Sequence, residues 1–257
     1  MKDLRAIWNA GGSVINAFIS LPCAFSTEIM ARAGFDSLTV DLQHGMLEFP
    51  DALASFQAMG AAGAVPLARI PELGSPLTGK LLDAGAAGLI CPMVDTADDV
   101  ARFVADSLYP PVGRRSRGAT RAVLYYEPGT YAKVANERVI LLPMIETATA
   151  LANVEAIAAV PGITGLYVGP TDLAFSMGLE PRIDNPTPEL MAAYAAVVAA
   201  AARNGIIAAL HCATPAFARE ALRMGFRMVT VNGDTGLLAD AANSALAAVR
   251  TEQQPGF

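Results

Sequence analysis

The sequence has few cysteines, few charges and no long apolar run, and each of these features excludes a class of protein. Three widely separated cysteines, Cys23, Cys91 and Cys212, favour neither a disulfide framework nor a thiolate metal site. No apolar run reaches the ~18–20 residues of a membrane span, and the first residues lack the apolar core of a signal peptide. A formal net charge of −6 disfavours a nucleic-acid backbone as partner. We therefore expect a cytoplasmic protein that binds neither membranes nor nucleic acids.

The rest of the composition is that of a protein with a large core, since 53% of the 257 residues are hydrophobic and 16% are charged. Eight apolar segments alternate with helical patterns, several of which end in glycine. Strands that are apolar throughout are typical of parallel sheets covered on both faces. The sequence therefore predicts an α/β protein, a single (β/α)₈ TIM barrel over residues 1–257. The strand candidates are Val14–Ser20, Ser37–Leu42, Val65–Ile70, Gly88–Val94, Val139–Ile145, Ile163–Val168, Ile206–Leu210 and Phe226–Val231.

Two carboxylates stand where consecutive strand candidates end, Glu146 after the fifth and Asp172 after the sixth. The segment between them has apolar residues at helical spacing and is ended by Pro161-Gly162. Parallel strands joined by one helix lie side by side, so both carboxylates should reach the same edge of the sheet. Either acid alone would serve as a helix cap, but two acids in consecutive units point to a shared cation.

Other strand ends carry polar side chains as well, and barrel active sites lie at these C-terminal ends. The second strand leads into Asp41 and His44, the third ends in Arg69, and the seventh is followed by His211. His44, with an acid three residues earlier, is a candidate for proton transfer. His211 is the weaker candidate, and a role as part of the pocket wall stays open for it.

The scarcity of lysine and histidine narrows the chemistry further. Lys2, Lys80 and Lys133 are the only lysines and fall outside all strand candidates, which leaves none for a Schiff base. No cluster of histidines and cysteines indicates zinc, so a carboxylate pair predicts a harder cation, Mg²⁺, Mn²⁺ or Co²⁺. No convincing phosphate-binding glycine motif is present, so we expect no nucleotide site.

One connection, from Pro110 to Arg138, is long and contains no strand candidate and at most one short helix. Connections of this length are uncommon in compact domains unless they serve a function. Two interpretations stay open, a solvated or subunit-contacting loop and direct binding of substrate. The connection carries four clustered arginines: Arg114, Arg115, Arg117 and Arg121.

Several motifs together resemble the HpcH/HpaI family of metal-dependent class II pyruvate aldolases, which includes 4-hydroxy-2-oxoheptanedioate aldolase and 2-dehydro-3-deoxyglucarate aldolase. The resemblance covers nearly the whole chain, with the motifs in matching order. It implies a phosphoenolpyruvate/pyruvate-type barrel that assembles as a hexamer, a trimer of dimers, with the last helix (about residues 234–252) exchanged between subunits. The motifs are D-x-x-H (Asp41, His44), the strand-end Arg69, LLDAG (Leu81–Gly85), YPPxGxRS (Tyr109–Ser116), IET (Ile145–Thr147) and GPTDL (Gly169–Leu173).

Carried over residue by residue, the resemblance makes Glu146 and Asp172 the metal ligands. It implies that Arg69 contacts the pyruvate oxygens and that His44 with Asp41 moves the proton. Backbone N–H groups around Gly169, Pro170, Thr171 and Asp172 would receive the pyruvate carboxylate. One position departs from the pattern, since Met144 stands where some members have glutamine beside the metal. For the aldehyde pocket we predict residues at the ends of the first and seventh strands, namely Phe18, Leu21, Pro22, Leu210 and His211.

These residues predict a divalent-metal-dependent aldolase, a carbon–carbon lyase that reversibly cleaves 4-hydroxy-2-oxo acids to pyruvate and an aldehyde. Pyruvate would chelate the cation through a carboxylate oxygen and its keto oxygen, so that loss of a methyl proton gives a metal-bound enolate. Arg69 would stabilise the negative charge that develops on the enolate oxygen. The alternatives are an oxaloacetate decarboxylase, which passes through the same enolate, a CoA-thioester lyase of the same fold, and a non-catalytic binding barrel.

Overall fold

Eight parallel strands form a closed barrel in which each strand pairs with the next and β8 pairs with β1. The computed structural model describes residues 2–251. Its closed barrel with helices between the strands confirms the predicted (β/α)₈ fold. The strand candidates are confirmed in number and order, with ends that differ by at most three residues. The strands are β1 Val14–Ile19, β2 Ser37–Asp41, β3 Val65–Arg69, β4 Gly88–Cys91, β5 Ile140–Ile145, β6 Gly165–Val168, β7 Ile207–Cys212 and β8 Met228–Gly233.

The helices surround the barrel, and several begin at a proline or a side-chain cap that the sequence supplies. Thr187 and Thr214 each accept a hydrogen bond from a backbone N–H of the first turn, and a proline follows each of them. Among the helices of residues 2–251, none combines the length and the hydropathy that a membrane span requires. In that range the helices are α1 Leu4–Asn9, α2 Ala24–Arg32, α3 Phe49–Ala62, α4 Leu77–Asp83, α5 Ala97–Ser107, α6 Tyr131–Arg138, α7 Ala148–Ala152, α8 Val154–Ala158, α9 Pro170–Ser176, α10 Pro188–Arg203, α11 Pro215–Arg223 and α12 Asp234–Thr251.

The alternation of side chains along the strands separates two apolar cores. On β5, Leu142 faces the inside of the barrel, whereas Leu141 packs in the larger core between the barrel and its helices. Helix α1 closes the N-terminal end of the barrel, because Leu4 and Trp8 belong to the inner core. The indole N–H of Trp8 donates to the carbonyl of Arg227 over 2.9 Å, which fixes this floor in place.

The expectation of strands that are apolar throughout is wrong for the inside of the barrel. Ser37 and Thr39 on β2, Asn16 on β1 and Thr230 on β8 are all fully buried. These polar residues occupy alternate positions, so their apolar neighbours still face the helices. Their burial is tolerated because they form hydrogen bonds with one another.

The helical segment between β5 and β6 is divided, because Asn153 both ends α7 and precedes α8. The side-chain amide of Asn153 donates to the carbonyl of Asp95 over 2.8 Å, which ties this break to the loop after β4. The residues predicted to form the apolar face of this segment are buried: Ala150, Val154, Ile157 and Ala158.

The long connection contains a 3₁₀ turn, Ala122–Tyr125, and helix α6, in agreement with the one short helix that was expected. Arg115 is buried and donates to Asp83 at the end of α4 over 2.6 Å. Arg121 donates to the carbonyl of Ala84, next to Asp83. These contacts lie at the turn that leads into β4, the opposite end of the barrel from the strand C-termini. Within one chain, Arg115 and Arg121 are therefore not placed to bind substrate there.

Helix α12 lies with its side chains largely exposed from Leu237 onwards. The exposed fractions of Leu238, Leu246 and Val249 are 63%, 53% and 59%, which is unusual for large apolar residues in a helix. Residue 252, the last of the helix expected to be exchanged between subunits, lies outside the described residues.

Candidate active site

Two neighbouring strands bring Asp41 and Arg69 together at the C-terminal end of the barrel, where their positions pair directly in the sheet. Both side chains are buried, and the guanidinium binds the carboxylate with two hydrogen bonds, Nε to Oδ1 at 2.8 Å and Nη2 to Oδ2 at 2.7 Å. Burial alone raises the pKa of Asp41, but the hydrogen bonds and charge of Arg69 outweigh it and hold that pKa below its usual value. Asp41 and Arg69 thus form a bidentate ion pair, which fixes the orientation of the guanidinium.

The backbone, rather than the side chains, connects Asp41 to His44. The backbone N–H groups of Gln43 and His44 donate to Asp41 Oδ1 over 3.1 and 3.2 Å. The His44 side chain is exposed, and among residues 2–251 no side-chain hydrogen bond joins it to Asp41. Both carboxylate oxygens of Asp41 are already bound to Arg69, so the imidazole stands beside this ion pair instead of completing a dyad with it.

Glu146 follows β5 directly and its side chain is 1% exposed. Its Oε1 accepts a hydrogen bond from the backbone N–H of Met93 over 2.7 Å. Met93 adopts a left-handed backbone conformation with φ at 52°, a strained geometry for a residue with a side chain. Burial, with a smaller contribution from the charge of Asp172, raises the pKa of Glu146 to about 7 against the opposing effects of the Met93 N–H and the Arg69 charge. Among residues 2–251, the strained loop after β4 therefore supplies the one hydrogen bond that this carboxylate accepts.

Asp172 is placed by the short helix α9, which begins directly after β6. Its side chain is exposed, and its charge raises the pKa of Glu146, so the two acids predicted to share a cation lie close enough for their charges to interact. Gly169 leaves room for the Glu146 carboxylate, because a Cβ at that position would lie 2.4 Å from Glu146 Oε2. The first turn of α9 also presents the backbone N–H groups of Thr171 and Asp172, which have no partner within the helix.

The two acids fit a hard divalent cation. Glu146 is buried and bonded to a neutral N–H group, and the nearby guanidinium of Arg69 is already paired with Asp41. A second carboxylate beside a buried one raises the cost of charging both, and a cation removes that cost. Residues 2–251 hold no group of three or more histidines, cysteines or acids that could bind a metal ion by themselves. A pair of carboxylates that leaves other positions to water or substrate oxygens is the donor set that Mg²⁺ and Mn²⁺ accept.

An aromatic wall stands on the other side of Arg69. The Phe18 ring lies 5.0 Å from the Arg69 guanidinium carbon and 4.8 Å from the His211 ring, which meets it edge-on. The hydroxyl of Tyr167 lies 3.3 Å from His211 Nδ1. Burial lowers the pKa of His211 to about 4, and the charge of Arg69 lowers it too. The side chain of His211 is therefore a neutral imidazole at physiological pH.

Leu210 does not belong to this wall, although the sequence placed it in the aldehyde pocket. It is fully buried in the outer core between the barrel and its helices. Successive strand residues face opposite sides, so the position next to His211 must face away from the barrel interior. Met144, by contrast, belongs to the inner core, and its Cε lies 2.9 Å from where a Cβ on Gly169 would be. Met144 thus lies beneath the two acids.

Sequence reasoning did not identify several groups that build this site. The backbone N–H of Met93 carries no side-chain signal, so it could not be found from residue type. Tyr167 and Thr230 could have been found, because each is a polar residue on the inner face of a strand candidate. Their hydroxyls lie 2.7 Å apart inside the barrel.

Comparison with known proteins identifies relatives along almost the whole chain. The sequence model of the HpcH/HpaI aldolase/citrate lyase family matches residues 15–241. A hydroxypyruvate/pyruvate aldolase of Rhizorhabdus wittichii is 36% identical over 250 residues, which cover 97% of this chain and 99% of that protein. A 2-keto-3-deoxy-L-rhamnonate aldolase of Salmonella gallinarum is 33% identical and covers 95% of this chain and 91% of its own.

A solved structure agrees with these sequence matches. The crystal structure of an HpcH/HpaI aldolase from Desulfitobacterium hafniense superposes with a TM-score of 0.91 at 27% identity, and the match covers 100% of this chain and 99% of that one. Together the matches support an aldolase, that is, a lyase, of this family.

Proposed function

The chain belongs to the HpcH/HpaI aldolase/citrate lyase family, and from this premise we propose that it is a divalent-metal-dependent pyruvate aldolase. It cleaves 4-hydroxy-2-oxo acids reversibly to pyruvate and an aldehyde. The observation that carries the proposal is the pair of interacting acids, Glu146 and Asp172, near an arginine that a third acid, Asp41, holds in place. A divalent cation bound by the two acids would act as a Lewis acid on the carbonyl of the 2-oxo acid.

Arg69 stabilises the negative charge that develops on the keto oxygen when the methyl proton leaves. Its Nε and Nη2 are bound to Asp41, while Nη1 makes no hydrogen bond among the described residues. Because the ion pair fixes the side chain before substrate arrives, little reorganisation is needed during the reaction. Asp41 is in this sense a positioning residue for the guanidinium.

The remaining groups bind the carboxylate and move the proton. The N–H groups of Thr171 and Asp172, at the start of α9, receive the carboxylate of the 2-oxo acid, where a helix start favours negative charge. His44 takes the methyl proton on an imidazole nitrogen and returns a proton to the new alkoxide, which becomes the hydroxyl; both transfers run through water because the side chain stands at the exposed rim. Phe18 excludes water from one side of Arg69.

The proposal is tested by removing and restoring the metal. Protein dialysed against EDTA should neither condense pyruvate with aldehydes nor exchange the pyruvate methyl protons in deuterated water, and Mn²⁺, Mg²⁺ or Co²⁺ should restore both activities. Borohydride added with pyruvate should leave no covalent adduct, because no strand lysine is available. Full activity in metal-free protein, or a trapped imine, would overturn the proposal. Oxaloacetate offered in the same assay measures the competing decarboxylation.

We also propose that the protein is a homo-oligomer in which α12 packs against a second copy of the chain. Large apolar side chains on α12, including Leu238 and Leu246, are exposed, and so are Phe25 and Ile29 on the neighbouring helix α2. A second copy of the same two helices would cover both sets. Light scattering after gel filtration should therefore give a multiple of the chain mass, consistent with a hexamer, and Leu246→Asp should lower it. A monomer at micromolar concentration would contradict this proposal.

A further inference from the structure

The loop after β4 presents a backbone N–H to Glu146 from a conformation that it would not keep without support. Met93, which donates this hydrogen bond over 2.7 Å, has a left-handed φ of 52° and a side chain that is 54% exposed. The next residue, Val94, is fully buried in the outer core. A left-handed backbone is unfavourable at a residue with a side chain, so contacts elsewhere in the loop must stabilise it.

Asp95 makes most of these contacts. Its carboxylate Oδ1 accepts a hydrogen bond from the hydroxyl of Thr147, and its carbonyl accepts one from the side-chain amide of Asn153 over 2.8 Å. Its backbone N–H donates to Oδ2 of Asp99, in the first turn of α5, over 3.2 Å. Both backbone polar groups of Asp95 and one of its carboxylate oxygens are therefore bonded to neighbouring elements, which restricts the position of the whole loop.

The contact with Thr147 connects this loop to the candidate metal site, because Thr147 follows Glu146 directly in the chain. The hydroxyl oxygen of Thr147 accepts from the backbone N–H of Ala150 over 2.9 Å and so caps α7. A hydroxyl has a single proton, and Asp95 receives it. Two hydrogen bonds, two residues apart on one segment and adjacent on the other, thus join the loop after β4 to the loop after β5.

Asp95 lies near the candidate cation site without belonging to it. Burial is the largest cause of the raised pKa of Glu146, and the charge of Asp95 adds a smaller effect in the same direction. The Asp95 carboxylate is nevertheless bonded to Thr147. Within residues 2–251, it is not part of any group of three or more metal-binding side chains. A carboxylate in this position can orient a metal ligand through its neighbours.

We propose that Asp95 is a positioning residue of the metal site and that it acts by holding Thr147. This contact keeps the strained loop after β4 in place, and with it the N–H group that orients the Glu146 carboxylate towards a divalent cation. The inference rests on the proposed function, since it concerns the same cation. Groups that orient a metal ligand change the metal affinity although they never touch the metal.

The first test removes the hydroxyl of Thr147 and measures Mn²⁺ affinity by calorimetric titration. Thr147→Val should lower the affinity about 10–100-fold, the range for groups that orient a ligand, and Thr147→Ser should keep it close to the wild-type value. The matched control is Thr214→Val, because Thr214 also caps a helix and donates to an aspartate, Asp184, at the end of another strand. An equal loss of affinity in the control variant would overturn the inference.

The second test separates the hydrogen bond of Asp95 from its charge. Asp95→Ala and Asp95→Asn both remove the charge, but asparagine keeps an oxygen that can accept from Thr147. The alanine variant should therefore bind Mn²⁺ about two- to tenfold more weakly than the asparagine variant, the range for one hydrogen bond. In a Thr147→Val background this difference should vanish, since the partner is already gone. If Asp95→Asn abolishes Mn²⁺ binding, Asp95 is a ligand instead, and the inference is wrong.

A measurement on metal-free protein tests the same contact without the cation. The exchange of the Met93 N–H with deuterated water reports its bond to Glu146. ¹⁵N-methionine labelling gives few amide signals, since the chain has ten methionines, and Met93→Leu identifies the one from Met93. Thr147→Val should speed this exchange about two- to tenfold, whereas Thr147→Ser should leave it unchanged. A valine variant that exchanges at the wild-type rate would contradict the positioning role.

Failure of this inference differs from failure of the proposed function. If wild-type protein binds Mn²⁺ and Thr147→Val binds it equally well, the role of Asp95 is wrong while the metal site stands. If wild-type protein binds no divalent cation, the proposed function fails, and the inference about the cation fails with it. The melting temperature of each variant shows whether the protein is still folded, and Thr147→Ser carries the test if the valine variant is not, because it should then match the wild type in both measurements.

Discussion

Two carboxylates at the mouth of the barrel, Asp41 and Glu146, are buried almost equally, at 3% and 1% exposure, yet their pKa values move in opposite directions. Asp41 accepts two hydrogen bonds from Arg69 and its pKa is lowered. Glu146 accepts one hydrogen bond, from the N–H of Met93, and its pKa is raised to about 7. Burial by itself raises the pKa of both, so the difference is due to the partner.

The comparison shows why two acids a few strands apart have different tasks. Both carboxylate oxygens of Asp41 accept hydrogen bonds from Arg69, so Asp41 is not available as a metal ligand. Glu146 is buried near a second acid, Asp172, and both conditions make the negative charge of Glu146 costly until a cation binds. A fixed guanidinium and a bound cation can then act at different strand ends without competing for the same carboxylate.

The largest effect is expected from Glu146→Gln, which removes the acid but keeps its shape and its hydrogen bond from Met93. Activity with Mn²⁺ should fall by about 10³-fold, because a metal Lewis acid contributes several kcal/mol. Calorimetric titration should show the loss of Mn²⁺ binding. The control is Glu155→Gln, which changes an exposed acid on α8 that pairs with Arg203. Mn²⁺ affinity equal to that of wild type would remove Glu146 from the metal site.

Arg69 tests the other half of the comparison. Arg69→Ala should lower kcat by about 10²–10³-fold, both for cleavage and for exchange of the pyruvate protons, because a donor to the developing charge is lost. Arg69→Lys should recover little, since lysine lacks the planar fork that binds Asp41. The unpaired Asp41 should also cost stability, and the melting temperature measures this. A lysine variant with normal kcat and only a raised KM would show that Arg69 merely binds substrate.

Gly169→Ala should disturb Glu146 while leaving every acid in place. The added Cβ would lie 2.4 Å from Glu146 Oε2, so the carboxylate must move. We expect Mn²⁺ affinity to fall about 10–100-fold, the range observed when groups that orient a metal ligand are changed. Gly118→Ala is the matched control, because its Cβ would meet nothing within 4 Å. If both substitutions leave the affinity unchanged, the close approach of Gly169 has no bearing on the metal.

The smallest effect is a pH dependence that should appear for Glu146 and not for Asp41. Below its raised pKa of about 7, Glu146 is protonated and must lose the proton to bind a cation. Mn²⁺ affinity should therefore rise by up to about tenfold per pH unit towards pH 7 and then level off. In metal-free protein the free energy of unfolding should instead fall as pH rises from about 4.5 to about 7. In this range Glu146 keeps its proton in the folded protein but loses it in the unfolded chain. Glu146→Gln should remove that loss of melting temperature.

The fold could be predicted from sequence because its signal is repeated. The units repeat a largely apolar strand and a helix, many of the helices with a cap or a terminal glycine, so an error of two residues in one unit does not change the architecture. The positions of Asp41, Arg69 and Glu146 at strand ends followed from the same repetition. The pairing of Asp41 with Arg69 rather than with His44 did not, because it depends on which side chain reaches across the strand register.

Other parts of the site had no one-dimensional signal. The N–H that binds Glu146 comes from Met93, whose left-handed backbone is fixed by the loop and not by its residue type. The orientation of His211 depends on hydroxyls contributed by other strands. Leu210 was misplaced because β7 extends two residues beyond its predicted end. Leu210 and His211 therefore both lie within the strand and face opposite sides of the sheet, which the predicted end at Leu210 did not indicate.

The floor of the barrel has a spectroscopic consequence. The chain contains a single tryptophan, and the indole of Trp8, on α1, donates to the carbonyl of Arg227 at the end of the barrel away from Glu146 and Asp172. Its fluorescence therefore reports whether the barrel is closed and should not respond to what binds at the mouth. Bound Mn²⁺, followed by its paramagnetism, reports the opposite end. Coincidence of the two signals during denaturation would show that both ends of the barrel unfold as one cooperative unit.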